Sequence, residues 1–462
     1  LDCADDIDEV STPEMAAEMA TAANAGPFAL LGYDAALVLM EQLHTEADVR
    51  ALACTCRHMR GVCDDGLLWR ILFHKHYPAS QISSASLGEW KYAFMLELSC
   101  NADRLMCFHT KAELGMIDAR RRRPEVFGIP ITFTVNPRTH EVDYIYSSLD
   151  TLSFSAYADD GVRRTVWGEK FTHFLPLFLT HEHYEAAKPA LRTSIKALVE
   201  GSPRWKHARG QYRPEMALDV LPKLLSTMVV LLVDKGVSAS DTFLDGFVQI
   251  YRLLLAIAAE HPNLRTEVTR RVREFVASES KRTKDAEPNL GVLVPLLALC
   301  NGLRWCDLAW PLLEELMDRG VLWACRDHPE LAEPAKLDVD EALSLAWGAR
   351  TVANRLLMFS VGFLSRLSKV SVEQLDGFHG QPTPWLRASM RQHIEKVLTA
   401  KSWPEFFTLI NVPLPSKAYM HAWLTRAVAN SERKRYHKRG MDFSRIQRSG
   451  VSSILRKGES IS

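Results

Sequence analysis

From His181 to the C-terminal end the apolar residues recur at helical spacing almost without a break, and this pattern leaves room for little but a packed helical domain. Segments near 181–200, 214–234, 240–260, 264–284, 289–301, 306–318, 338–371, 386–400 and 415–438 each carry an apolar stripe. Pro189, Pro262, Pro288, Pro311, Gly320, Pro329 and Pro334 punctuate them. Helices of about 15–20 residues on short links are therefore expected, the arrangement that antiparallel helix pairs need. No motif repeats at a fixed period, so a HEAT- or armadillo-like stack and an irregular α-domain both stay open.

Upstream the period changes. Ile129, Ile131, Phe133 and Val135 alternate with Pro130, Thr132 and Thr134, which predicts a half-buried strand. Asn136-Pro137-Arg138-Thr139 reads as a turn and Val142 to Tyr146 as the returning strand. Thr151 to Phe154 and Val162 to Trp167 are further short candidates, while Pro176 argues against a central strand over Phe171 to Phe178. Residues 125–180 are thus expected to form a small antiparallel sheet of three or four strands, and Tyr144, Tyr146, Trp167, Phe171 and Phe174 its core rather than a pocket.

Composition narrows the class. Hydrophobic content of 47% and charged content of 24% are those of a soluble globular chain, and a net charge of zero gives no general pull on polyanions. The longest apolar run, around Met228 to Val233, is closed by Asp234-Lys235, far short of a bilayer span. The opening Leu-Asp-Cys-Ala-Asp-Asp lacks the basic-then-apolar plan of a signal peptide. Nine scattered cysteines with no CxxC pair read as reduced thiols of a cytosolic or nuclear protein.

The stretch from Leu31 to Tyr77 is the one that points to a partner. Leu37, Met40 and Leu43 recur at helical spacing, as do Val49, Leu52, Cys56 and Met59; Thr45 is an N-cap candidate for the second segment, and Asp64 or Asp65 for a third carrying Trp69, Leu72 and Phe73. Three such helices have too little core to stand alone, so they need the rest of the chain or a partner. The residue order resembles the F-box, the three-helix motif that docks on the Skp-type adaptor of cullin–RING ubiquitin ligases. The resemblance rests on Leu39-Met40 and Leu43, on Asp48-Val49, on Thr55-Cys56-Arg57, and on Asp64, Asp65 and Leu68-Trp69-Arg70 followed by Leu72-Phe73. Gly32 stands where the family has Pro, and Met59 where it often has Trp. Trp90-Lys91, in a helix expected near Leu87 to Leu98, resembles the Trp-Lys helix that often follows an F-box. The resemblance implies adaptor contacts through Leu31, Leu37, Leu39, Met40, Leu43, Val49, Leu52 and Trp69. Without it, the same stretch is an ordinary three-helix packing unit.

Motifs for chemistry are scarce. Glycine-rich phosphate loops and a Gly-x-Ser-x-Gly elbow are absent from the sequence. His181-Glu182-His183, with His173 nearby, looks metal-like; but Thr180 predicts a helix start, where residues two apart diverge by about 200°. No catalytic residue, metal ligand or cofactor is assigned. Arg120 to Arg123 read as a solvated helix end. At the other end Arg433, Lys434, Arg435, Lys438 and Arg439 form a basic cluster with Tyr436 and Phe443 interleaved, either a solvated tail or a site for an anionic partner.

The fold expected is mainly α with a small antiparallel β module. A disordered acidic leader occupies 1–28, the three-helix head 29–80, linker helices 81–124, the β module 125–180, the helical domain 181–430 and a basic tail 431–462. The function implied by the resemblance is non-enzymatic: recruitment of an unknown protein substrate to a Skp-type adaptor and its cullin scaffold, with no membrane role. A helical scaffold or nucleic-acid-binding protein acting through the basic tail is the alternative, and an enzyme centred on 125–185 a third.

Overall fold

The computed structural model describes residues 32–43, 46–78, 89–94, 125–135, 142–146, 150–153, 163–164, 170–208, 210–235 and 241–438. The leader over 1–28, Leu31, Thr45, the Arg120–Arg123 run and the tail from Arg439 lie outside them. The chain divides into two compact units, Leu1–Asn101 and Ala102–Ser462.

Among the described residues, 33–76 hold four short helices where the sequence pattern predicts three: α1 (Tyr33–Glu41), α2 (Glu46–Ala53), α3 (Arg57–Cys63) and α4 (Gly66–His76). The expected second helix breaks at Thr55-Cys56 because side chains there satisfy the backbone instead. Thr55 Oγ1 donates to the Leu52 carbonyl at 2.7 Å. Cys56 is extended, and its sulfur accepts from Met59 N at 3.5 Å as the cap of α3. Asp65 caps α4 as expected, accepting from Leu67 N at 2.6 Å. Met40, Met59, Leu68, Trp69, Leu72 and Phe73 make the core. Trp90 and Phe94, on helical residues 90–94, complete it: Phe73 meets Trp90, and Trp69 meets Phe94, at ring centroids 5.2 Å apart. Residues 89–94, expected in a linker, therefore belong to the head core. Four tiny helices need that added aromatic area, since little else could bury their apolar stripes.

In the second unit β1 (Glu125–Val135) is the hub of a sheet, pairing antiparallel with β2 (Val142–Tyr146), β3 (Asp150–Ser153) and, further along the chain, β6 (His173–Pro176). A separate two-stranded ladder joins β4 (Arg163–Arg164) to β5 (Lys170–Phe171). Pairing with β3 ends at Gly128 and pairing with β2 begins at Ile131, so Pro130 falls where one side of β1 asks for no N–H. The expected alternation fails at this point. Ile129 and Ile131 are fully buried as predicted, yet Pro130 is buried too, opposite Phe174 in the register with β6. Gly128 permits the close approach of β6: a Cβ there would lie 2.4 Å from the Leu175 carbonyl oxygen.

Ile129, Ile131, Leu175 and Leu177 join the same core as Ala187, Leu191, Ile195 and the helices beyond. The boundary expected at residue 180 is thus not a domain boundary; sheet and helices share one interior. From Thr180, whose hydroxyl accepts from His183 N, run α5 (His181–Val199), α6 (Met216–Lys235), α7 (Asp241–Glu260) and α8 (Asn263–Ala277). The helix expected over 289–301 is broken into single turns around α9 (Leu293–Leu296). Next come α10 (Trp305–Asp327), α11 (Val339–Leu367), α12 (Val372–Gly377), α13 (Pro384–Thr399), α14 (Trp403–Leu409) and α15 (Lys417–Arg433). The punctuation near 306–318 misleads, because Pro311 and Gly320 both lie inside α10.

The 29-residue α11 packs against α6, α10, α13, α14 and α15. In a solenoid each element touches only its sequence neighbours; a central helix meeting one more than a hundred positions earlier makes this an irregular α-domain. Arg252 of α7 ties it together. Its guanidinium gives Nε to Asp376 at 2.6 Å and its terminal nitrogens to the Phe178 and Leu179 carbonyls at 2.9 and 3.2 Å, over the Phe178 ring.

Candidate functional site

The head presents its apolar side chains differently from the pattern the spacing picks out. Met40, Val49 and Trp69 are buried in the head itself, and Trp69 Nε1 donates to the Cys63 carbonyl at 2.6 Å. They are core residues of the head. Leu43 and Leu52 are half-buried, Leu39 is exposed, and the Leu37 side chain and all of Leu31 lie outside the described residues. Among the described residues of the head, the other large apolar groups left exposed are ones the spacing passes over: Val38 (59% exposed), Tyr33 (43%) and Leu67 (43%). Helical periodicity finds the stripe that faces inward, so residues off that stripe carry no signal. Tyr33 donates its hydroxyl to Asp65, whose other oxygen caps α4 at Leu67 N. This bond holds the Asp65 carboxyl below its ordinary range and pushes the Tyr33 phenol up. It also fixes the start of α1 beside the start of α4, bringing Tyr33 and Leu67 to one place.

In the second unit a cleft of about 760 Å³ lies along α8, with Arg204, Asp219 of α6 and the 281–292 loop among its other walls. Its arginines pair with carboxylates of the same walls. Arg204 meets Asp219 at 2.7 Å, Arg270 spans Glu267 at 2.7 Å and Glu274 at 2.5 Å, and Arg271 holds Glu287 at 2.6 Å. The bond from Arg270 lowers the pKa of Glu267. No histidine or cysteine is among the described residues that line it. The cleft draws on separated stretches between 199 and 292, which is why no local motif announces it.

His181 and His183 fall in the first turn of α5, with His181 3.7 Å from Glu185. Among the described residues no group of three or more His, Cys, Asp or Glu is placed to hold a metal ion. None of the helices among them is long and apolar enough to cross a membrane.

The basic cluster at the end of α15 is divided by the structure. Lys434 is turned inward, its side chain 8% exposed, with Nζ 2.7 Å from Glu315 and 2.8 Å from Asp318 of α10. Tyr436 donates its hydroxyl to Glu315 at 2.6 Å, and Arg433 pairs with Glu279. Burial works against the Lys434 ammonium, but its bonds to Asp318 and Glu315 prevail and its pKa is raised. Burial likewise pushes the Asp318 carboxyl up to about 6, against the pull of Lys434. Lys434 is therefore an internal clamp and not a ligand for an outside anion, so the helical domain runs past the expected limit at 430. Arg435 and Lys438 are exposed, and Arg439 lies outside the described residues.

Compared with protein-family models, with curated proteins and with solved structures, the chain matches none.

Proposed function

We propose that the chain is a substrate-recruiting subunit of a cullin–RING ubiquitin ligase, docking a Skp-type adaptor through its head and a protein substrate through the second unit. It would perform no covalent chemistry and would work in the cytosol or nucleus. The observation that carries this reading is the head: a unit with its own aromatic core, in the residue order of an F-box, that leaves Tyr33, Val38, Leu39 and Leu67 exposed. Apolar groups left outside a complete core are what an obligate partner would cover. The self-paired charges of the 760 Å³ cleft suit an extended polypeptide, which can replace each surface ion pair with one of its own.

Co-purification with a Skp-type adaptor tests the proposal. Apolar anchors at an interface are each worth about 2–4 kcal/mol, or roughly 30- to 1,000-fold in affinity. The double variant Val38→Asp/Leu39→Asp should therefore lose the adaptor while its melting temperature stays within about 2 °C of wild type, both positions being exposed. A wild-type chain that ignores the adaptor at micromolar concentration, or a double variant that binds as well as wild type, would reject the reading. The tail-based alternative is less favoured, since Lys434 is buried on carboxylates and Arg433 is paired.

A further inference from the structure

Arg350 lies in the middle of α11, 7% exposed. Its guanidinium occupies the notch that Gly320 leaves in α10, where a Cβ would fall 1.9 Å from one terminal nitrogen. Arg252, buried more deeply still, gives its donors to a carboxylate and two carbonyls. Among the described residues Arg350 has no such partners, and its Nε is sealed from solvent without an acceptor. The carboxylate whose charge acts on it is Asp318, which is already bonded to Lys434. Glu315 in turn is held by Arg319 at 2.7 Å as well as by Lys434. Two buried acids thus face two bases, and Arg350 is a third cation left over.

That charge does not vanish on burial. Desolvation lowers the guanidinium pKa to about 10, still well above neutral. A buried, uncompensated ion is among the costliest groups a fold can hold. Arg350 forms part of the wall of a cavity otherwise lined by apolar groups and one thiol, among them Met317, Val321, Cys325, Leu331 and Leu424. Its free space of about 20 Å³ takes one water-sized body. A water there would accept hydrogen bonds but leave the charge, which a single small anion would neutralise.

We propose that this cavity is a binding site for a single monatomic anion, chloride in the cell, seated on the Arg350 guanidinium between α10, α11 and α15. The bound halide would act as a structural counter-ion that joins α11 to its neighbours.

Thermal melts of the full chain, at one ionic strength with chloride or bromide replacing gluconate, test this. A ligand that binds only the folded state raises its midpoint, here by about 2–5 °C. Arg350→Met, an unbranched apolar chain of similar reach, should abolish the halide dependence. Wild-type crystals soaked in bromide should show an anomalous peak within about 4 Å of the guanidinium, a readout that does not depend on the variant folding. Equal wild-type midpoints in gluconate and chloride overturn the proposal, with or without a bromide peak, since a peak alone marks adventitious occupancy. It is overturned too if the variant keeps the wild-type halide response, or if the bromide peak is missing.

Discussion

His393 shows how a single side chain in this fold can set a condition on its stability. It is buried against Phe359 and Phe363, with Nε2 2.8 Å from the Met358 carbonyl. Burial is the main reason its pKa falls from 6.5 to about 4; the Met358 bond works the other way. A depressed imidazole favours the fold above the unfolded value and ceases to as pH drops. The unfolded chain takes up the proton first, so stability should fall by about 3 kcal/mol between pH 6.5 and about pH 4. Asp318, raised from 3.8 to about 6, pulls in the opposite sense over part of that range. The His393 contribution is therefore read from a difference. Urea midpoints of wild type and His393→Gln should converge as pH is lowered from about 7 to about 5, because the amide does not titrate; parallel curves would rule out the imidazole as the cause. Nothing in the sequence distinguishes this histidine from the other fifteen, since what shifts it is its packing beneath α11.

At the scale of elements, periodicity reports which face a segment buries and misses what punctuates it. The alternation over β1 places Ile129 and Ile131 inside correctly, and Ile131→Asp should cost about 3–5 kcal/mol by putting a charge in the shared core. Thr132→Asp, at a half-buried position, should cost about 1 kcal/mol in the same denaturant titration. Equal losses would mean that Ile131 and Thr132 do not differ in burial as the strand places them. The helices from α5 to α8, α11, α13 and α15 are legible because their stripes are long. The break at Cys56, the continuation of α10 through Pro311 and Gly320, and the short α12 and α14 are not. Each depends on a side chain from elsewhere or on a cap: Arg350 fills the Gly320 notch, and Ser371 and Ser402 cap α12 and α14.

At the scale of the molecule, the expected tail boundary has a measurable counterpart. Ending the chain after residue 430 removes Lys434 and Tyr436, leaving buried Glu315 with its Arg319 bond and stripping buried Asp318 of its bonded lysine. Such a truncation should lose about 3–5 kcal/mol, whereas one ending after residue 438 should melt like the whole chain. Identical melting of the two would show the Lys434 clamp to be incidental. The candidate site was less legible than the fold. The helical spacing and the Leu-Trp-Arg order mark the head, but which of its side chains face outward depends on how α1 is tied to α4 by Tyr33 and Asp65. The position of α11 also bears on how the chain is made. A ribosome delivers α6 about a hundred residues before α11, so the nascent chain must carry the face of α6 that meets α11 uncovered until that helix has emerged. Synthesis of this protein should accordingly lean on chaperones that hold open intermediates, and slow codons placed before α11 would lengthen the interval in which it can aggregate.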